Sequence, residues 1–276
     1  MTSIPDLSLT GETQVAVAGD WHANIGWVQQ VFPFLRRAVP GIRTVLHLGD
    51  FGYWGERSGH GFPETVSYWA RAAGIERVLV TPGNHEHWSS LDSLFAVSPN
   101  RPVQIAERVH VLPRAFRFTL AGRTFASFGG AASLDRDDRV PLKTWWPSEV
   151  PTEADVTRAI DGGPTEVLLT HEAVDGGTEL VERILRSNPL GWDEAAIAYS
   201  ALSRERVTRV YEALRPRVLA HGHLHLKDER TSKDGRKIYS LGADGQDGNL
   251  AVLRLEDLRW TWLGDPRAWK RERSKL

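Results

Sequence analysis

Val15-Ala16-Val17-Ala18-Gly19-Asp20-Trp21-His22 is the stretch that decides how this chain is read. Four apolar residues are stopped by Gly, and two residues able to bind a metal follow at once. A short Val-rich run ended by Gly has the pattern of a buried strand rather than a helix. A similar arrangement recurs four times, three of them with Gly. Val45–Leu48 runs into Gly49-Asp50-Phe51-Gly52, and Val78–Val80 into Gly83-Asn84-His85-Glu86. Val167–Leu169 runs into Thr170-His171-Glu172, and Val218–Ala220 into Gly222-His223-Leu224-His225. In sheets with helical crossovers, ligands bind beyond the carboxyl ends of the strands. Five strand ends bringing Asp, Asn and His to one edge are what a two-metal centre requires.

The donor types narrow the metal. Carboxylate, amide and imidazole are present, and thiolate is not, because the chain has no cysteine. Imidazole with carboxylate suits zinc, iron and manganese, whereas an all-oxygen set would point to magnesium or calcium. Two ions about 3.5–4 Å apart form a clamp for in-line displacement at phosphorus. Asp50, by its place in the order, is the candidate to bridge them.

Asp20-x-His22, Gly49-Asp50, Gly83-Asn84-His85-Glu86, His171 and Gly222-His223-x-His225 together resemble the calcineurin-like metallophosphoesterase superfamily, block by block and in its order. The resemblance implies a dinuclear centre. Asp20, His22 and His225 would hold one ion, Asn84, His171 and His223 the other, and Asp50 would bridge. His85 would not ligate; it would protonate the leaving oxygen. The implied cofactors are two divalent ions (Mn, Fe or Zn), with Mn or an Fe/Zn pair favoured. One departure matters. Protein phosphatases of the superfamily carry an Asp-Arg pair just after the second block, and its Arg grips phosphate. Gly49-Asp50-Phe51-Gly52-Tyr53-Trp54-Gly55 holds no Arg there, and Arg57 is out of register.

Composition is consistent with a folded globular protein: of 276 residues 41% are apolar and 25% charged. A net charge of −1 gives no general pull toward nucleic acid or anionic lipid. Absence of cysteine excludes disulfides and fits a reducing compartment. Met1–Thr13 shows no basic stretch followed by an apolar one, and no apolar run approaches the roughly 18 residues of a membrane helix. The expectation is a cytoplasmic protein without a membrane partner.

Hydrophobic spacing predicts strands at Gln14–Ala18, Thr44–Leu48 and Arg77–Thr81, separated by helices from about Asn24, which Pro33 should bend, and over Pro63–Ala73. That βαβαβ run argues a parallel sheet with right-handed crossovers. Short strands follow at Val109–Leu112, Ala115–Leu120 and Arg123–Phe128, then a long irregular segment, 129–150. A helix over Glu153–Ile160 and a strand over Glu166–Thr170 come next. Helices about Thr178–Arg186 and Ser203–Leu214 lead to a strand at Arg217–Ala220. Four strands close the chain: Leu226–Thr231, Lys237–Ser240, Leu250–Arg254 and Arg259–Leu263. The fold class is α/β, a single-domain four-layer α/β/β/α sandwich of two mixed sheets flanked by helices. The metal motifs span 19–225, the closing strands 226–263 and a basic tail 264–276.

The remaining candidates divide. His47, in mid-strand, and His110 read as packing residues, and His60 as surface. His87 and His221 lie beside the blocks without joining them. Glu86 either orients a histidine or is a solvent-facing or capping carboxylate. Trp54, Trp88, Trp145 and Trp146 lie in loops expected near the metal edge, where they either pack those loops or stack a base. Arg136, Arg139 and Lys143 in the 129–150 segment are candidates to replace the missing phosphate-gripping Arg, with Trp145 beside them; a solvated charged loop is the competing account.

The function these readings imply is hydrolysis of a phosphoric ester by a hydroxide generated at the two ions, with His85 as general acid. The substrate expected is a small phosphomonoester, phosphodiester or nucleotide. Alternatives are a phosphoprotein phosphatase, disfavoured by the absent Arg, and a nuclease, disfavoured by the charge. A non-catalytic scaffold that binds a partner protein would have lost ligands or the acid, and none is lost.

Overall fold

The structure is a computed structural model that describes residues 4–55 and 61–268; Arg57, His60 and the tail from 269 onward lie outside the described residues. The first half runs β1 (Gln14–Ala18), α1 (Ile25–Ala38), β2 (Thr44–His47), α2 (Phe62–Ala73), β3 (Arg77–Val80), α3 (Trp88–Val97), β4 (Val103–Ala106), β5 (Val109–Val111), β6 (Phe116–Leu120) and β7 (Arg123–Phe128). Then come α4 (Glu153–Asp161), β8 (Val167–Thr170), α5 (Glu179–Ser187), α6 (Glu194–Leu214), β9 (Val218–His221), β10 (Asp228–Thr231), β11 (Lys237–Ser240), β12 (Leu250–Arg254) and β13 (Trp260–Trp262).

Two mixed sheets form. One has the order β13-β12-β1-β2-β3-β5-β4, the other β10-β11-β9-β8-β7-β6. In the first, β1, β2, β3 and β5 are parallel; in the second, β11, β9, β8 and β7 are. Antiparallel strands flank both parallel blocks. The period-two alternation of side chains builds the layers. Val15 and Val17 of β1, with Leu46 and Leu79, meet Leu169, Val218 and Ala220 between the sheets. The intervening Ala16, Ala18 and Val45 pack outward under Val28, Val31 and Leu35 of α1 and Val66 of α2. On the far side Leu168 and Leu219 lie under Val156 of α4 and Val207 and Val210 of α6. The expected four-layer α/β/β/α sandwich is what these contacts make. Burying each of the Val and Leu side chains contributes about 1.5–3 kcal/mol, so the layering rests on this alternation.

Three elements differ from the sequence expectation. Helix α3 was not expected: only Trp88 and Leu91 are buried, too few for a readable stripe, and its N-terminus is capped by His87, whose Nδ1 accepts from Ser90 N at 3.2 Å. Strand β4 is a four-residue edge strand with only Val103 buried. Helix α6 begins at Glu194 instead of Ser203, capped by Asp193; its first turns bury Ala196 and Ser200, small residues that leave no apolar signature. Helix α1 runs through Pro33 as one helix. Among the described residues no helix is long and apolar enough to cross a membrane.

Candidate metal centre

Parallel strands point their carboxyl ends one way, so both sheets deliver their following loops to the same rim. Asp20 and His22 follow β1, Asp50 follows β2, Asn84 and His85 follow β3, His171 follows β8, and His223 and His225 follow β9. Four of these turn in through left-handed backbone: His22 (φ 45°), Asp50 (49°), His223 (72°) and His225 (55°). Non-glycine residues rarely adopt that conformation, and it clusters at functional sites. The loops are tied to one another. Trp21 N and His22 N donate to the Asp50 carbonyl at 3.0 and 2.8 Å, His223 N donates to Asp20 Oδ2 at 3.1 Å, and His85 N donates to Asp50 Oδ1 at 2.9 Å. Glycine is required where loops touch: a Cβ at Gly83 would overlap the Asp50 carboxylate and stand 2.8 Å from His171 Nε2.

Two groups of potential ligands result. Asp20, His22, Asp50 and His225 each offer an atom within 4.8 Å of the others, and so do Asp50, His171 and His223; Asp50 belongs to both. Asn84 joins the second group, its Oδ1 3.0 Å from His171 Nε2. The groups differ in access. Asp20, Asp50, Asn84 and His171 are buried, while the side chains of His22 and His225 are 29% and 39% exposed.

The residues fit a cation. His171 Nδ1 donates to the Leu48 carbonyl at 2.6 Å, which leaves Nε2 with its lone pair turned toward Asn84 Oδ1 and, at 3.3 Å, Asp50 Oδ1. Three lone-pair atoms face one another in a buried space, and a positive charge must lie among them. Without metal a proton takes that place. Burial pushes the His171 imidazolium down, but the fields of Asp50 and Asp20 and the bonds to Asp50 and Leu48 outweigh it and raise the pKa to about 10. His22 behaves alike: burial lowers it, yet hydrogen bonds to Asp244 and Asp50 raise it to about 11. Among the described residues His223 Nε2 is buried without a hydrogen-bond partner, 3.8 Å from Glu172.

Supporting residues orient the set, and metal-binding histidines usually have such partners. Asp244 Oδ1 lies 2.8 Å from His22 Nδ1, while its Oδ2 accepts from Asn24 Nδ2 at 2.6 Å. Glu86, buried, accepts from Asp50 N at 3.2 Å, Gly52 N at 3.1 Å and Gly83 N, joining the second and third loops. Burial and the Asp50 charge raise its pKa to about 7. Asp244 was not foreseen: it lies 222 residues from His22, in a stretch without a motif.

His85 stands at the open side, 28% exposed, with Nε2 3.8 Å from Asp50 Oδ2. Its ring nitrogens are 2.5 and 2.7 Å from Arg139 Nη2, and Asp135 holds that guanidinium at 2.7 Å. Burial pushes the His85 imidazole below its usual range; Asp50 pulls back and Arg139 adds to the depression. The 129–150 segment therefore reaches the metal rim through Arg139. Arg136 instead lies over the Tyr199 ring at 4.8 Å, Trp145 Nε1 donates to Glu149 at 2.9 Å, and Lys143 is exposed. Two of the four tryptophans expected near the rim pack: Trp88, at the start of α3, donates to the Gly83 carbonyl at 3.0 Å, and Trp146 is buried with its ring 4.5 Å from that of His87. His47 and His221 are buried at or near strand ends, outside both ligand groups.

Known proteins share this frame. The chain superposes on a protein from Thermus thermophilus with a TM-score of 0.54 at 11% identity, covering 91% of this chain and 98% of that one. It superposes equally (TM-score 0.54, 13% identity, 92% and 96% covered) on a dimetal phosphatase from Danio rerio. No curated protein matches the sequence. The family description "calcineurin-like phosphoesterase" matches residues 13–227, which holds every motif described above, and the chain belongs to that family.

Proposed function

We propose that the protein is a metal-dependent hydrolase of a small phosphomonoester, phosphodiester or nucleotide, working in a reducing compartment, the cytoplasm. The observation that carries this is Asp50, common to two adjoining ligand groups with His85 beside it on the open side. Asp20, His22, Asp50 and His225 would hold one divalent ion, and Asp50, Asn84, His171 and His223 the other; Mn, or an Fe/Zn pair, suits mixed imidazole and carboxylate. When bound, two such ions polarise phosphoryl oxygens and acidify water.

The chain's own residues do the rest. Glu86 and the cross-loop hydrogen bonds hold the ligand loops so that little rearrangement accompanies binding. His85 moves a proton to the leaving alkoxide, from a position solvent and substrate can both reach. Arg139, kept near His85 by Asp135, supplies the guanidinium that grips a phosphoryl oxygen in place of the Arg missing after Asp50. The dimetal phosphatase that shares the fold supports the reaction class.

The test is a screen of metal-reconstituted protein against phosphomonoesters, phosphodiesters, cyclic nucleotides and phosphopeptides. Metal-dependent turnover of a small ester supports the proposal. Full loading with two ions and no turnover of any of them removes it.

A further inference from the structure

A chain of buried polar groups behind Asn84 has no part in the reading so far. Glu149 closes the short 3-10 turn Pro147–Glu149 and is fully buried, yet four donors converge on it. Its Oε1 accepts from Ser133 N at 2.7 Å, Trp145 Nε1 at 2.9 Å and the Tyr199 hydroxyl at 3.1 Å. Its Oε2 accepts from the Ser133 hydroxyl at 2.7 Å. With Glu149 ionised, that hydroxyl proton is committed to its carboxylate, Ser133 Oγ is left as an acceptor, and Asn84 Nδ2 donates to it at 3.0 Å. The amide oxygen of Asn84 is then the atom that faces His171 Nε2. A reversed amide would set its carbonyl against a hydroxyl with no proton to give, and its NH2 against the space meant for a cation. In a buried site both mismatches are costly.

We propose that Glu149 and Ser133 are positioning residues that fix the Asn84 carboxamide with Oδ1 toward Asp50, His171 and His223, and so complete the buried ion site. Tyr199 of α6 and Trp145 of the 129–150 segment brace the carboxylate, so the segment that carries Arg139 also sets a ligand of the centre. The inference rests on the dinuclear reading above.

Glu149→Gln tests it with an isosteric change. Three donors occupy Oε1, so the new NH2 falls opposite Ser133 Oγ and donates to it. The Ser133 proton must then turn toward Asn84 and favours the reversed amide. Ser133→Ala removes the acceptor outright. Zinc binding would be followed by calorimetry for the wild type and both variants, with thermal unfolding of the metal-free proteins. One ion should bind as in the wild type and the other about 10- to 100-fold more weakly, the usual effect of losing a ligand's supporting partner. A purely structural role would lower thermal stability and weaken both ions together, and that result overturns the proposal, as does unchanged binding of both. The wild type supplies a measurement that needs no variant: the Asn84 side-chain NH2, seen by NMR in the zinc-loaded protein, should exchange with solvent far more slowly than surface amides. Fast exchange there overturns the proposal. A wild type that binds fewer than two ions overturns the dinuclear reading itself, and the proposal with it.

Discussion

Asp50→Asn separates the shared carboxylate from every other ligand. The side chain is 2% exposed; Oδ1 lies 3.3 Å from His171 Nε2 and Oδ2 3.6 Å from His22 Nε2, so it faces both groups at once. Asn keeps the shape and one carbonyl oxygen but loses the charge. Two unit charges about 4 Å apart at an effective dielectric of about 20 interact by roughly 4 kcal/mol. At about 1.4 kcal/mol per decade, that is on the order of a thousandfold in affinity. A divalent ion feels more of the lost charge, and the retained carbonyl returns part of it, so the thousandfold figure stands as a scale for each ion. His225→Ala is the control. His225 belongs to one group only, so that variant should keep the ion of Asp50, Asn84, His171 and His223. Metal analysis after dialysis against a metal-buffered solution reads the difference: two ions in the wild type, about one in His225→Ala and fewer than one in Asp50→Asn. Circular dichroism of the metal-free proteins checks that the fold is kept. Two ions retained by Asp50→Asn would refute the reasoning.

His85→Ala should keep both metals and lose turnover, most of all for esters with poor leaving groups, because nitrophenolate needs little protonation to depart; equal loss across leaving groups in steady-state kinetics counts against the acid role. Arg139→Ala should raise KM about 10- to 100-fold, the equivalent of about 1.5–3 kcal/mol for a hydrogen bond to a charged group, with metal content unchanged. Lys143→Ala should do much less, and equal effects of the two would leave Arg139 without a special place. Loading should release protons, because His22 and His171 are protonated near neutral pH in the metal-free protein, with values raised to about 11 and about 10. Their raised values mean that this ion pairing stabilises the metal-free fold fully below the ordinary histidine value of 6.5 and is lost as pH climbs through 10 to 11. Asp50, held well below 3.8, contributes above that value and loses its share only as pH falls through its depressed one. Calorimetric titration with metal in buffers of different ionisation enthalpy should show net proton release at neutral pH and stronger binding as pH rises; no release would mean the histidines are already neutral.

The sheets were legible because buried strands announce themselves locally. Val15 and Val17 face one layer while Ala16 and Ala18 face the other, and that alternation is written in consecutive residues. The ligands were legible for the same reason, since each follows its strand within a few residues. What escaped reading was held by distance or by size. Asp244 meets His22 across 222 residues, and Ser133 meets Asn84 across 49; neither belongs to a motif, and only the fold brings them together. Helix α3 and the first turns of α6 bury too little, or residues too small, to print a helical stripe. In the 129–150 segment, basic residues suggested a phosphate contact, but nothing in the sequence separates Arg139, which reaches His85, from Arg136, which lies on Tyr199.

The loops that carry the candidate ligands fix one another, and the backbone shows how. Left-handed conformations at His22, Asp50, His223 and His225 cost about 1–3 kcal/mol each for residues with a Cβ. They persist because cross-loop hydrogen bonds fix them: Asp50 accepts at its carbonyl from Trp21 and His22, at its carboxylate from His85, and gives its own N–H to Glu86. Relaxing His22, Asp50 or His223 would break bonds to another loop, so the strain there is not relieved singly. The same bonds bring carboxylates close to His22 and His171, and those carboxylates raise the two imidazoles to about 11 and about 10. On the dinuclear reading proposed above, a divalent ion would take the place of the protons on these imidazoles among residues already held in position, so little rearrangement of the loops would accompany its binding.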